Sequence, residues 1–202
     1  MTGPKAVVWD FGNVIVRWDP RTLYSKIFPD RVERDRFLND ICTMAWHVAH
    51  DEGVTFAANR APLLEKFPDY ADQIIAWETR WPEMFSGAIA ETEAVIEDLA
   101  RAGVPQFGLS NVSMEVIDQV RGLSPAFAHL ADTVASADVG LCKPDPAIFD
   151  LAAARFGYAP EDLLFVDDGA HNTQAAAALG WDVHHFTDPK GIRPAIEARG
   201  LL

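Results

Sequence analysis

The sequence predicts an α/β fold, in which a parallel β-sheet carries helices on both faces and a helical segment is inserted after the first strand. Short apolar runs alternate with amphipathic stretches in the second half of the chain, which is typical of a parallel sheet. Residues 19 to 84 contain no convincing strand and hold many aromatic residues. A length of 202 residues suits one domain with an insertion. We therefore predict an α/β core of residues 1–15 and 89–202 and a helical cap of residues 16–88.

The elements follow in chain order from periodicity and from stop signals. Residues 6–9 (Ala-Val-Val-Trp) form the first predicted strand, which ends at Asp10. Thr55 is a suitable N-cap for a cap helix over residues 56–67. In the second half, the predicted strands cover residues 104–109, 133–136, 163–166 and 183–186, and the predicted helices cover residues 93–102, 146–156 and 172–179. Asp145 is the expected N-cap of the second of these helices.

The charge balance restricts the partners that the protein can bind. Asp and Glu number 30 against 17 Lys and Arg, so the formal net charge is −13. Nucleic acids and anionic membrane surfaces both attract basic patches, so we expect neither as a partner. No apolar run reaches the ~20 residues that a membrane helix needs. The N-terminal residues do not resemble a signal peptide, and the two cysteines, Cys42 and Cys142, form no CxxC pair, so we expect a soluble cytoplasmic protein.

Polar residues with chemical potential follow the predicted strands directly, and ligands of open parallel sheets bind at the carboxyl ends of strands. Asp10 follows the first strand, and Gly12 behind it lets the backbone approach a ligand. Ser110 and Asn111 follow the next predicted strand, where a hydroxyl and backbone N–H groups can hold an oxyanion. Taken singly, each of these residues is also an ordinary turn residue.

Two further sites add charge to the same edge. Lys143 precedes a predicted helix and could neutralise a bound anion, although most lysines are solvated at the surface. Asp167 and Asp168 close the strand of residues 163–166, and Asn172 begins the next helix. Adjacent carboxylates repel each other unless a cation lies nearby, and hard oxygen ligands suit Mg²⁺. The four sites together predict a strand-edge centre for a phosphate and a metal ion.

The order and spacing of these four motifs resemble the haloacid dehalogenase superfamily of hydrolases over essentially the whole chain. They are most similar to the branch of small phosphatases that includes glucose-1-phosphate phosphatase and the N-terminal domain of soluble epoxide hydrolase. The resemblance implies a Rossmann-like core with a helical cap, and hydrolysis of a small phosphorylated metabolite, with sugar phosphates as the branch-level expectation. In it the catalytic residues are Asp10, which attacks phosphorus and forms an aspartyl-phosphate, and Lys143, which binds both the phosphate and the nucleophile. Ser110 and the backbone around Asn111 bind the phosphate oxygens. Asp168, Asp10 and the Gly12 carbonyl hold Mg²⁺, with Asp167 in the first or second shell, and Asn172 orders the last loop.

One position departs from the family pattern. Family phosphatases usually carry a second Asp two residues after the nucleophile as general acid and base, and this chain has Gly12 there. Another group could supply the proton, or the enzyme could be slow, since general acid catalysis contributes about 10²–10⁴-fold. The 2-haloacid dehalogenases also lack that Asp and need no metal, but their last motif typically carries Ser and Asn in place of an acidic pair. A non-catalytic domain that binds phosphate or metal is the third alternative.

The cap offers weaker candidates. His47, His50 and Asp51 precede Thr55, and a cap residue there could replace the missing acid, but surface polar groups are the more common outcome. Trp18 and Trp46 could line a pocket, yet a small helical bundle also needs aromatic residues in its core. We therefore expect the two histidines and Asp51 at the surface and the two tryptophans in the core.

Overall fold

A computed structural model describes residues 3–202, and its centre is a five-stranded parallel sheet with the strand order β5-β4-β1-β6-β7. The strands are β1 (Ala6–Trp9), β4 (Gln106–Ser110), β5 (Asp132–Ala135), β6 (Leu163–Asp167) and β7 (Asp182–His185). Strand β1 is central, since it pairs with β4 on one side and with β6 on the other. Each of its residues is therefore buried, and apolar residues on both faces are typical of a parallel sheet covered by helices. The predicted α/β fold is thereby confirmed.

Helices cover both faces of this sheet. They are α6 (Ala90–Ala102), α7 (Ile117–Arg121), α8 (Ser136–Val139), α9 (Pro146–Phe156), α10 (Ala170–Ala178) and α11 (Ile192–Glu197). Successive strand residues point to opposite faces, so Val7 and Trp9 pack in one apolar cluster while Ala6 and Val8 pack in the other. The first cluster also holds the buried side chains of the inserted segment, which joins the insertion to the core.

The inserted segment consists of helices between two short antiparallel strands. Strands β2 (Val16–Trp18) and β3 (Phe85–Ala88) pair with each other and enclose α1 (Pro20–Ile27), α2 (Arg31–Asp40), α3 (Met44–Asp51), α4 (Phe56–Lys66) and α5 (Ala71–Thr79). Tyr24, Phe37 and Trp77 form the buried aromatic centre of these helices. The strand pair was not predicted, because strands of three and four residues are too short to show a clear alternation of polar and apolar residues.

The predicted elements agree with the structure to within a few residues. Strand β1 and helix α9 have the predicted bounds, and the Asp145 side chain caps α9 by accepting a hydrogen bond from the Ala147 N–H. The Thr55 side chain caps α4 in the same way. Helix α6 begins three residues before the predicted start, because Glu91 and Glu93 belong to its first turn. Within residues 3–202, no helix combines the length and apolar character that crossing a bilayer requires.

Candidate active site

The carboxyl ends of three neighbouring strands bring the predicted site residues together. Trp9 of β1 is level with Gly108 of β4 and with Val166 of β6. The chain leaves β1 at Asp10, while β4 ends at Ser110 and β6 ends at Asp167. All three side chains therefore lie at the same edge of the sheet, beneath the inserted segment.

Asp10 is held rigidly at this edge. It is buried, and its Oδ1 accepts hydrogen bonds from the Phe11 N–H at 2.7 Å and the Ser110 hydroxyl at 2.9 Å. The Lys143 Nζ lies 2.9 Å from the same oxygen. Burial raises the pKa of Asp10 to about 7, Lys143 opposes this shift, and the charge of Asp167 adds to it. The carboxylate is thus held in place by three neighbouring groups, but the positive charge around it is too small to offset its burial.

Lys143 is enclosed between carboxylates. Its Nζ lies 2.6 Å from Asp167 Oδ2 and donates to the Leu109 carbonyl oxygen at 3.0 Å, and its side chain is 1% exposed. Burial alone would lower the pKa of Lys143, but Asp10 and Asp167 more than reverse this effect and raise it above its usual value. The lysine therefore stays charged in the interior.

Asn111 positions the lysine through its backbone. The Asn111 amide oxygen accepts from the Lys143 N–H at 2.9 Å, and its amide nitrogen donates to the Lys143 carbonyl oxygen at 2.9 Å. Because both ends of this side chain are used, only its backbone N–H is free to serve an oxyanion beside Ser110.

The loop after β6 orders the acidic pair. Asp167 is fully buried and accepts from the Gly169 N–H at 2.7 Å and from the Asn172 amide at 3.0 Å, in addition to Lys143. Burial would raise the pKa of Asp167, but Lys143 and these donors together lower it. A Cβ atom on Gly169 would lie 2.8 Å from the Asn172 amide nitrogen, so only glycine permits this close approach.

Asp168 lies at the open side of the site and is exposed. The surrounding protein still removes part of its hydration, which raises its pKa, and the neighbouring charge of Asp167 adds to this effect. Both oxygens of Asp167 already accept protein donors, whereas Asp168 faces solvent. Asp168 is therefore the better placed of the two for binding a solvent-borne cation.

A divalent cation fits this donor set. Asp10, Asp167 and Asp168 each offer a carboxylate oxygen, and these oxygens lie within 4.8 Å of one another. Three carboxylates against the one ammonium of Lys143 leave a formal charge of −2 at the site. Mg²⁺ prefers such hard oxygen ligands and usually retains waters, which the exposed side of the site can provide. The carboxylates of Asp10, Asp167 and Asp168 could hold it, and the resemblance adds the Gly12 carbonyl to this set.

The inserted segment partly covers a half-open cavity of about 140 Å³ at this edge. Its core wall includes Phe11, Gly12, Ser110, Asn111, Val112 and Val120, and its cap wall includes Trp18, Met44, His47, Asp51, Trp81 and Phe85. Phe11 lies tightly against β4, since a Cβ atom on Gly108 would come within 2.7 Å of its ring. The residues expected to bind phosphate thus lie in the wall of a largely apolar cavity.

The expectation that His47, His50 and Asp51 lie at the surface is wrong. All three are buried on helix α3, and His47 Nε2 lies 3.7 Å from Asp51 Oδ2. Burial lowers the pKa of His47 to about 3, and burial raises the pKa of Asp51 to about 7, with a further contribution from Asp10. The spacing of His47 and Asp51, four residues apart and hence on one helix face, was the signal available in the sequence.

Of the aromatic and hydroxyl residues near the cavity, some pack in the core and others belong to the site. Trp46 packs inside the cap, where its Nε1 donates to the Asn59 carbonyl oxygen, as expected, but Trp18 lines the cavity. Ser136, which no motif indicated, donates its hydroxyl to the Asp51 carbonyl oxygen and accepts from the Val112 N–H at 3.0 Å. Ser136 therefore connects the end of α3 to the loop after β4.

Comparison with known proteins agrees with this architecture. A family model described as haloacid dehalogenase-like hydrolase matches residues 4–180. A magnesium and inorganic phosphate complex of a haloacid dehalogenase family enzyme from Bacteroides thetaiotaomicron superposes with a TM-score of 0.71 at 21% identity, covering 92% of this chain and 95% of that one. This likeness concerns the fold.

Two curated relatives carry different activities. An (S)-2-haloacid dehalogenase from Pseudomonas putida is 30% identical over 110 residues, which are 54% of this chain and 48% of the relative. A phosphoserine phosphatase from Thermus thermophilus is 30% identical over 105 residues, which are 52% of this chain and 41% of the relative. The matches thus span less than half the length of each of these relatives, and the two activities differ.

Proposed function

The chain belongs to the haloacid dehalogenase-like hydrolases, and from this we propose that it is a Mg²⁺-dependent phosphomonoester hydrolase that acts through an aspartyl-phosphate on Asp10. The observation that carries the proposal is the cluster of Asp10, Asp167 and Asp168 around a single buried lysine. A metal-free enzyme would have to keep three carboxylates together with one cation, which is costly in a partly buried site. We treat residues 16–88 as the cap of this enzyme.

In the first half-reaction, a carboxylate oxygen of Asp10 attacks phosphorus and forms a P–O bond to the enzyme. The bond between phosphorus and the leaving-group oxygen breaks, and its electron pair stays on that oxygen. When the substrate binds, the Ser110 hydroxyl turns from Asp10 and donates to a phosphoryl oxygen together with the Asn111 N–H, and Lys143 keeps the nucleophile oriented. When bound, Mg²⁺ supplies Lewis-acid stabilisation of the charge on the transferring group.

The departing oxygen needs a proton, and Gly12 cannot give one. Asp51 lines the same cavity as Gly12 and Ser110, and its pKa of about 7 lets it hold a proton near neutral pH. We assign Asp51 as the group that protonates the leaving alcohol, with neutral His47 beside it. Its carboxylate then takes a proton from the water that attacks the phosphoenzyme, which breaks the bond to Asp10 and releases phosphate.

Dehalogenation remains the second candidate, because a curated relative is a 2-haloacid dehalogenase and Gly12 carries no acid. In that reaction Asp10 would displace halide from carbon, and neither a proton donor nor a metal would be required. The acidic pair opposes this alternative, since Asp168 would have no function in it. A non-catalytic domain that binds phosphate or metal would retain the ligands without turnover.

The expected partner is a small phosphorylated metabolite. Cys42 is a buried free thiol and Cys142 a partly buried one, which suits the reducing cytoplasm that we propose as its location.

The test is hydrolysis of p-nitrophenyl phosphate and acetyl phosphate with Mg²⁺, with EDTA, and in the Asp10→Asn variant. We expect activity only in the native protein with Mg²⁺. We also expect phosphate from the substrate to remain bound to the native protein after acid quenching, and not to the Asp10→Asn variant. Activity that survives both EDTA and Asp10→Asn would refute the mechanism. Metal-independent halide release from (S)-2-chloropropionate, lost in Asp10→Asn, would favour the dehalogenase instead.

A further inference from the structure

The cavity between cap and core is lined mainly by apolar side chains, four of which are aromatic. Seven of its twelve lining residues have apolar side chains: Phe11, Trp18, Met44, Trp81, Phe85, Val112 and Val120. Its polar side chains are Ser110 and Asn111 at the phosphate end, with His47 and Asp51 on the cap. The Asn111 side chain is already used by Lys143 and the Ser110 hydroxyl by Asp10. Few groups remain to satisfy the polar atoms of a leaving group.

The walls offer few hydrogen-bonding atoms to a ligand. Trp18 Nε1, Trp81 Nε1 and His47 Nδ1 have no hydrogen-bond partner, but each atom is buried with almost no accessible surface and so does not face the cavity. Asp51 is the main acceptor left among the lining side chains. A leaving group with several hydroxyls would need more acceptors than Asp51 provides.

The covered part of the cavity has room for about one six-membered ring. A cavity of about 150 Å³ is enough for a benzene ring, and this one is about 140 Å³. Four aromatic rings, on Phe11, Trp18, Trp81 and Phe85, surround it, and rings of this kind favour flat partners. Each buried hydroxyl that is left without a partner lowers affinity by about tenfold.

We propose that this cavity selects phosphomonoesters whose alcohol carries one flat, mainly apolar six-membered ring, in preference to phosphorylated sugars. The inference rests on the proposed phosphatase function and names its substrate class. It runs against the sugar phosphate expected from the resemblance. Moving the apolar surface of the ring from water into the cavity is favourable. The hydroxyls of a sugar would instead lose hydrogen bonds to water that the cavity does not replace.

The first experiment compares benzyl phosphate, cyclohexylmethyl phosphate and glucose 6-phosphate, which all join a six-membered ring to phosphate through a primary alcohol. We expect kcat/KM to be at least tenfold higher for benzyl phosphate than for glucose 6-phosphate, with cyclohexylmethyl phosphate between them. Equal or faster hydrolysis of glucose 6-phosphate overturns the proposal while the phosphatase function stands. If the protein hydrolyses none of these substrates, nor acetyl phosphate, the phosphatase function itself is refuted.

Binding tests the substrate class without turnover. In the Asp10→Asn variant with Mg²⁺, we expect benzyl phosphate to quench tryptophan fluorescence at a concentration at least tenfold lower than glucose 6-phosphate does, because Trp18 and Trp81 line the cavity. Equal affinities, or tighter binding of the sugar phosphate, overturn the proposal whether or not the native protein is an enzyme.

A matched pair of methionines tests the location. Met44 lines the cavity and is 51% exposed, whereas Met114 lies outside the cavity lining and is 48% exposed. Met44→Gln keeps the length of the side chain but places an amide in the wall, so we expect it to lower the preference for benzyl over glucose 6-phosphate by about three- to tenfold. Met114→Gln should leave this preference unchanged. An unchanged preference in both variants would mean that another surface selects the substrate.

Discussion

Removing the charge of Lys143 is the sharpest test of the electrostatics at the strand edge. In Lys143→Met, the side chain keeps its approximate volume, but Asp10 and Asp167 lose the cation at 2.9 and 2.6 Å. Removing one partner from a buried ion pair costs about 3–5 kcal/mol, because a charge is left without compensation. The variant stays folded where the native stability, about 5–15 kcal/mol for most domains, exceeds this loss.

The assay is urea unfolding in EDTA, so that no metal contributes. With a slope of about 2 kcal/mol per molar urea, we expect the midpoint at pH 8 to fall by about 2 M. Lys5→Met is the matched control, since Lys5 and Asp162 are also 2.9 Å apart but the Lys5 side chain is 59% exposed. An exposed pair of this kind contributes about 0–1 kcal/mol.

The pH dependence gives the sign of the effect. In the native protein the pKa of Asp167 lies below its ordinary value of 3.8, so its contribution to stability is present above that pH and is lost on acidification. In the variant, the pKa values of Asp10 and Asp167 both rise, and the penalty then grows as pH increases through them. The deficit should therefore be larger at pH 8 than at pH 5.5. A deficit at pH 8 no larger than that of Lys5→Met, or one that grows on acidification, would refute this reasoning.

Four further variants test individual residues. Mg²⁺ is expected to raise the urea midpoint of the native protein and not that of Asp168→Asn, since a ligand stabilises only the state that binds it; equal rises would exclude Asp168 as a ligand. Asp51→Asn should lower kcat on alkyl phosphates by about 10²–10⁴-fold and spare p-nitrophenyl phosphate, which needs no protonation; equal losses on both would indicate a structural role. Because we assign Asp51 to the protonation of the leaving group, Gly12→Asp, whose Cβ would meet no atom within 4 Å, should change kcat on alkyl phosphates little, and a clear gain would mean that Asp51 does not supply the proton. Gly169→Ala should cost about 1–3 kcal/mol in urea unfolding because its Cβ would approach side-chain atoms at 2.8 Å, whereas Gly191→Ala, with open space around it, should cost little; equal costs would contradict the packing argument.

Much of the strand edge could be predicted from local patterns. Asp10, Ser110 and Asp167 each end a buried apolar run, and the carboxyl ends of neighbouring parallel strands meet at one edge. The periodicity of a strand or helix involves only residues a few positions apart, so bounds such as those of α9 can be predicted closely. The short strands β2 and β3 escaped because they contain too few residues for a period to show.

The partners of each side chain could not be predicted in this way. That Lys143 lies between Asp10 and Asp167, and that the Asn111 amide holds the Lys143 backbone, depends on contacts between segments more than 20 residues apart. No local pattern specifies which donor meets which acceptor across such distances. The resemblance indicated that these residues act together, and the geometry shows how they are paired.

The sequence alone therefore determined the order of the strand-end residues and the α/β class, because both follow from local periodicity and from the rules of parallel sheets. Only the tertiary structure decided the character of the cavity. Asp51 and His47 have the polar side chains of a surface helix, and they became buried because the cap packs its α3 face over the strand edge. Whether a residue is buried depends on the segments that pack against it. Here the inserted segment packs against core residues that lie far from it in the sequence, so no local pattern indicates the burial.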